Sequence, residues 1–170
     1  MHVLNSIASL LLSKRNAPIL EKRFLNWTQI KKIAIVAFDN QLSHLVDFIN
    51  TSQKNNIQVS VFVIYNGKPE LAPKPQFNHL IITKEQFSIF QLPKDSVLQS
   101  VQSTFDVLIN LGTQEQIQAL SISKLLPSHC RIANFENHIF DLSIQSEKMM
   151  NPTDFLQQVI VYLNMIKTTK

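Results

Sequence analysis

The period of the apolar positions changes several times along the chain, and each change marks an element. Residues 32–38 read Lys-Ile-Ala-Ile-Val-Ala-Phe, a nearly continuous apolar run that fits a strand covered on both faces. Asp39 and Asn40 follow as helix caps, and Leu42, Leu45, Val46 and Ile49 recur at helical spacing up to the polar stretch 51–56. Residues 57–65, rich in β-branched and aromatic side chains, predict a second strand. Strand, helix and strand in so short a span form a βαβ unit with parallel strands and a right-handed crossover.

The pattern repeats further on. Asn66-Gly67 breaks the second strand, and Pro69, Pro73 and Pro75 make the next stretch a loop. His79–Ile82 predicts a third strand, residues 87–92 either an edge segment or a loop with anchoring aromatics, and Asp95–Ser103 a helix with Val97, Leu98 and Val101 inward. Phe105–Leu111 reads as a fourth strand, with Asp106 at its entrance and Asn110 near its exit. Thr113 and Gln116 have the spacing of a capping box, opening a helix that Pro127 stops. Cys130–Ala133 is a short fifth strand and Ile139–Ile144 a further edge segment. Pro152 suits the first turn of a last helix, whose Phe155, Val159, Tyr162, Leu163 and Ile166 supply an apolar face. At the other end, Val3, Leu4, Ile7, Leu10 and Leu11 recur at helical spacing, and the stripe Leu4, Ile7 and Leu11 is expected to pack on apolar surface. The expected fold is α/β: three layers, a mostly parallel sheet of about five strands with helices on both faces, and an N-terminal amphipathic helix. Residues 1–31 form a basic helical segment and residues 32–170 a single domain.

Charge changes the picture at one end only. Residues 1–32 hold Lys14, Arg15, Lys22, Arg23, Lys31 and Lys32 against Glu21, so the net +4 of the 170-residue chain belongs to this segment. Such a segment can meet an acidic protein partner, a second copy of the chain or an anionic membrane surface. Nucleic acid is not expected, because the aromatics, mostly Phe, fall at core positions rather than on a stacking platform. The apolar run 7–12 is far shorter than the roughly 20 residues that span a bilayer, and it has no export-signal pattern, so a cytoplasmic protein with peripheral membrane association at most is expected.

Composition then limits the chemistry. The chain has 2 glycines, Gly67 and Gly112, and the first strand-to-helix turn, Phe38-Asp-Asn-Gln41, has none. A dinucleotide fingerprint needs glycines for close backbone approach, and Asp39 would repel a pyrophosphate, so NAD, FAD and P-loop binding are not expected. The single Cys130 sits beside His129 on a strand, where neighbours point to opposite faces, and reads as a buried thiol. Five scattered histidines and few carboxylates suggest no metal site and no acid–base pair. No cofactor is expected. Open α/β sheets bind ligands outside the carboxyl ends of their strands. The polar residues there are Asp39, Asn40, Asn66, Lys68, Thr83, Asn110 and Thr113; Asp39, Asn40, Asn66, Lys68, Asn110 and Thr113 are the candidate ligand-binding set.

Several strings together resemble an uncharacterised family of small bacterial α/β proteins, over roughly residues 24–167. They are residues 32–39, Tyr65-Asn-Gly-Lys68, residues 105–111, Arg131-Ile-Ala133 and residues 158–166. The resemblance implies a Rossmann-like fold and no particular activity. This chain has Asn110 where an Asp is common in that family and Ala133 where a Gly is common. Residues 105–133 also look like the acceptor-side half of heptosyltransferase-type glycosyltransferases, whose nucleotide-sugar half has no room here. The leading expectation is a non-catalytic α/β binding or protein-interaction module. The alternative is a small-molecule binder or small enzyme built on such a half, using the strand-end residues. Convergence of Asp39, Asn66, Lys68 and Asn110 in one pocket would favour the alternative.

Overall fold

In the computed structural model, residues 2–146 and 150–167 are described, with side chains from residue 5 onward. The strands are β1 (Lys32–Phe38), β2 (Gln58–Tyr65), β3 (His79–Thr83), β4 (Phe105–Asn110), β5 (Ser128–Ala133) and β6 (Leu142–Ser143). The helices are α1 (His2–Lys14), α2 (Val46–Lys54), α3 (Asp95–Gln99), α4 (Ile117–Leu125) and α5 (Pro152–Met165). All five strand pairings are parallel, in the order β3-β2-β1-β4-β5-β6. That is the order of a doubly wound dinucleotide-binding sheet. The sheet has six strands rather than about five, because Leu142–Ser143, inside the expected edge segment, pairs with β5.

The central strands are apolar on both faces because both faces are covered. Ile35, Val36, Val61, Val63, Leu108 and Ile109 are fully buried. Ile35, Val61 and Ile109 face one cluster with Phe48 of α2 and Phe155, Val159 and Leu163 of α5. Val36 and Leu108 face the other, with Val97 of α3 and Ala119 and Ile122 of α4. The sheet is thus sandwiched between α2 with α5 and α3 with α4. Asp106, at the entrance of β4, accepts hydrogen bonds from the backbone N–H of Lys31 (2.7 Å) and Lys32 (2.9 Å) and so sets the start of β1.

Three helices begin or end differently from the sequence pattern. The first crossover opens with 3₁₀ turns over Asp39–Leu45, and α2 starts only at Val46. α3 stops at Gln99 rather than Ser103, with Val97 buried and Leu98 and Val101 half-buried. α4 starts at Ile117 rather than at Thr113. Residues 87–92 form a closed loop pinned by a single antiparallel bridge between Phe87 and Pro93.

The N-terminal segment packs on the body, but by another stripe. Ala8 and Leu12 are buried and Leu11 half-buried against Leu92, Ile117, Leu120, Phe135 and Phe140, whereas Ile7 is exposed; the side chain of Leu4 lies outside the described residues. The helix is rotated because its carboxyl end is held by charge. Lys124 Nζ donates to the carbonyls of Leu12 (2.7 Å) and Ser13 (3.3 Å), and the Arg15 guanidinium donates to Pro93 O (3.0 Å) and Asp95 (3.1 Å). Lys22 pairs with Asp141 at 2.7 Å and Arg23 with Glu21 at 3.1 Å. Three of the six cations of the basic segment are therefore paired within the chain. Among the described residues, no helix is long and apolar enough to cross a membrane.

Candidate functional site

In a sheet of this order the winding of the strands reverses between β1 and β4, and outside the carboxyl ends of such a pair open α/β sheets bind their ligands. Dinucleotide-binding proteins hold phosphate there on free backbone N–H groups. Here the chain's own amides take such groups. Gln41 Oε1 accepts from Phe38 N–H at 2.9 Å, and Gln41 Nε2 donates to Leu111 O at 2.8 Å, so one side chain ties the exit of β1 to that of β4. Gln116 Oε1 accepts from Thr113 N–H at 2.7 Å, and Gln86 Oε1 from Thr83 N–H at 2.9 Å. The same device recurs before β1, where Gln29 Oε1 accepts from Asn26 N–H at 3.1 Å. In each case a glutamine three residues on folds back on the backbone donor.

Of the candidate residues Asn110 is buried and the other five are exposed. Asn110 is fully buried and turned onto its own loop, accepting from Gly112 N–H (3.2 Å) and donating to Gly112 O (3.3 Å). Gly112 is needed for close approach, since a Cβ there would lie 2.5 Å from the Ala119 Cβ on α4. It lets α4 pack closely on the end of β4, as a glycine of the first turn does after β1 in dinucleotide folds. Thr113 is exposed; only the Gln116 half of the expected capping box forms, and α4 has no side-chain cap at its start. Asp39, Asn40 and Lys68 are exposed. Asn66 is exposed and bonded reciprocally to Gln118, with both amide–amide bonds at 3.1 Å.

Asn66 and Gln118 line an open cleft of about 460 Å³ with Lys84, Phe87, Ser88, Ile89 and Gln91, outside the ends of β2 and β3. Gln91 lies in the left-handed backbone region (φ 59°), as residues in tight turns do. Asp39, Asn40, Lys68, Asn110 and Thr113 are not among its lining residues. Gln41, Gln86 and Gln118 were not singled out by sequence reasoning. The signal available for the first two was the repeated spacing of a glutamine three residues after a strand's end.

The remaining reactive groups serve the fold. Cys130 is buried, and burial, with Asp141 nearby, pushes its thiol up to about 12. So weakly acidic a thiol offers no thiolate nucleophile near neutrality. Arg131 turns its guanidinium to the carboxyl end of α4, donating to the carbonyls of Ser123 (2.8 Å), Leu126 (2.9 Å) and Ser128 (3.3 Å). Burial draws its pKa down, while Asp141 opposes the shift. No group of three or more potential metal ligands occurs among the described residues.

A family model described as a family of unknown function (DUF6913) matches residues 4–166. No curated protein matches the chain.

Proposed function

The chain belongs to the family of unknown function DUF6913, and on that premise we propose that it is a non-catalytic α/β binding or protein-interaction module. One observation carries the reading. The backbone N–H groups of Phe38, Thr83 and Thr113, and that of Gly112 in the buried loop, are held by the chain's own amide oxygens. A phosphate entering there must first displace well-formed hydrogen bonds, which offsets part of what its own contacts would gain. The engagement of Asn66 with Gln118 and of Asn110 with its own loop supports the same reading. The setting proposed is the bacterial cytoplasm.

The experiment is a thermal-shift and calorimetric titration with NAD and ATP at up to about 1 mM. A ligand at about 100 times its dissociation constant adds about 2.7 kcal/mol of stability, which would raise Tm by several degrees. The expected result is no saturable shift; micromolar binding of either would overturn the reading.

A second reading has a specific observation behind it. The strand order and the cleft beside Asn66 and Gln118 suit a small polar molecule, in a protein built on a glycosyltransferase-like half. A saturable shift from a sugar or small polar metabolite that Gln118→Ala abolishes would select this reading over the module.

A further inference from the structure

We infer that the cleft between α2 and the proline-bearing loop after β2 binds a small apolar carboxylate, its body between helix and prolines and its charge on Lys74. The cleft shares no residue with the strand-end set or with the glutamines that hold the backbone donors, so the inference goes beyond the function proposed above. The origin of the cleft lies in the sheet. Parallel neighbours are joined by a crossover, usually a helix, and right-handed crossovers that step the same way along a sheet fall on one face. α2 lies in the crossover from β1 to β2, so a helix from β2 to β3 would lie beside it. The chain supplies residues 66–78 instead, and their helical part is the 3₁₀ turn Pro69–Leu71. The loop does lie on the α2 side, since Phe77 and Ile81 pack against the same cluster as Phe48 and Ile49. Pro73 and Pro75 stiffen it: each fixes its own φ and lacks an N–H donor. Each also holds the residue before it extended, as Ala72 is at φ −59° and ψ 140°. A loop of this kind does not close onto α2. It leaves a cleft of about 570 Å³, a volume typical of small-molecule sites.

The lining of the cleft selects the ligand class. Leu42, Val46 and Ile49 line one side at i, i+4 and i+7, and Pro73, Pro75 and Phe77 line the other. Val46 is 48% exposed, so a ligand that covers it removes apolar surface from water. The apolar stripe gives way to Asn50 and Gln53 within a turn. It is therefore about 10 Å long, which suits a ring or a short chain rather than a lipid acyl chain. Lys74 is the one charged residue in the lining; the neighbouring acids Asp47 and Glu70 are not part of it. Its ammonium makes no ion pair or hydrogen bond among the described residues. A cation beside an apolar wall, with no carboxylate in the lining, complements a single negative charge on an apolar body. A carboxylate accepts from the ammonium and from the side-chain amides of Asn50, Gln53 and Gln76. A phosphate carries more charge than one lysine balances.

The probe is 2-naphthoate, with 2-naphthamide as the same ring without the charge. At ordinary ligand efficiency its roughly 13 non-hydrogen atoms give a dissociation constant of about 1 mM or below, so a titration to about 10 mM reaches saturation. Amide NMR spectra of the isotope-labelled full chain locate the site. The backbone signals of Val46 and Phe77 and the side-chain amides of Asn50, Gln53 and Gln76 are expected to shift together, with one dissociation constant. Lys74→Ala is expected to weaken naphthoate about fivefold, as loss of an exposed ion pair does, and to leave naphthamide unchanged. Loss of packing alone would weaken both. Val46→Asp, at an exposed position, sets a like charge on the apolar stripe and is expected to abolish naphthoate binding with far-UV circular dichroism unchanged. No saturable shift by the end of the titration overturns the proposal, as does a site mapped away from α2 and residues 73–77. Naphthamide that binds the wild type as tightly as naphthoate overturns it, and so does naphthoate binding that Lys74→Ala or Val46→Asp leaves intact. The nucleotide titration is independent: binding of NAD or ATP defeats the module reading and leaves the cleft untouched, and failure of naphthoate defeats the cleft alone.

Discussion

Replacing Gln41 by alanine removes two hydrogen bonds at once, one from Phe38 N–H at 2.9 Å and one to Leu111 O at 2.8 Å. Each has good geometry, and a bond of this kind contributes about 0.5–1.5 kcal/mol net. The side chain is only half-buried, so water can reach part of what is vacated. The cost of Gln41→Ala is therefore about 2 kcal/mol, short of the full penalty for two orphaned buried groups. Gln86→Ala serves as an internal scale, because Gln86 caps the single backbone donor of Thr83 without bridging two strands. Its cost should be about half as large. Urea denaturation followed by fluorescence of Trp27, the one tryptophan, gives both values, with an unchanged m-value showing that compactness is unaltered. A second readout tests function. In Gln41→Ala/Gln116→Ala the donors of Phe38 and Thr113 are freed, so pyrophosphate should raise Tm in the double variant and not in the wild type. If Gln41→Ala lies within about 0.5 kcal/mol of wild type, as an ordinary surface substitution does, the bridge between the strand ends contributes nothing and the reasoning fails. A wild-type Tm that rises saturably with pyrophosphate refutes it equally.

Ile35→Ala or Leu108→Ala, at fully buried positions on opposite faces of the sheet, should each cost about 2–5 kcal/mol by the same denaturation measurement. Cys130 should resist a disulfide reagent at pH 8 until the protein is globally unfolded, since its thiol is both buried and weakly acidic; fast labelling of the native protein would contradict this. Its folded pKa is raised from 9.0 to about 12, so the unfolded chain loses this proton first as pH rises. The associated stability is present below pH 9 and should fall between pH 9 and 12 at up to about 1.4 kcal/mol per pH unit, a slope that Cys130→Ala removes. Removing residues 1–15 uncovers Leu92, Ile117 and Leu120 and frees the Lys124 ammonium, so the truncated chain should bind a hydrophobic dye and melt earlier; unchanged melting would show that α1 adds nothing to the body.

The parallel sheet and most of its core were legible in the sequence because they rest on local signals. Fully apolar runs at Ile33–Ala37 and Val107–Ile109 demand cover on both faces, and the alternation of strands with helices demands crossovers. The limits of α2, α3 and α4 were not legible, since helical spacing does not distinguish 3₁₀ turns from α-helix at Asp39–Leu45. The candidate site was legible as a place rather than as an arrangement. The sequence put Asn66, Asn110 and Thr113 at strand ends. It could not show that Asn110 would bond its own loop or that Asn66 would find Gln118, 52 residues away.

What the sequence determined by itself, then, was the class of fold, the identity of the buried strands and the scarcity of glycine. These follow from composition and from periods of two to four residues, which neighbouring positions encode. The tertiary structure alone decided which stripe of α1 faces inward, because Lys124 and Arg15 grip or are gripped by groups far along the chain. It also decided that Gln41 would close the gap between β1 and β4, which exists only once those strands lie side by side. It left Val161, Tyr162 and Met165 of α5 outward, because the core needs only one side of that helix. Each of these depends on groups brought together by packing across long stretches of chain, and no local pattern carries that information.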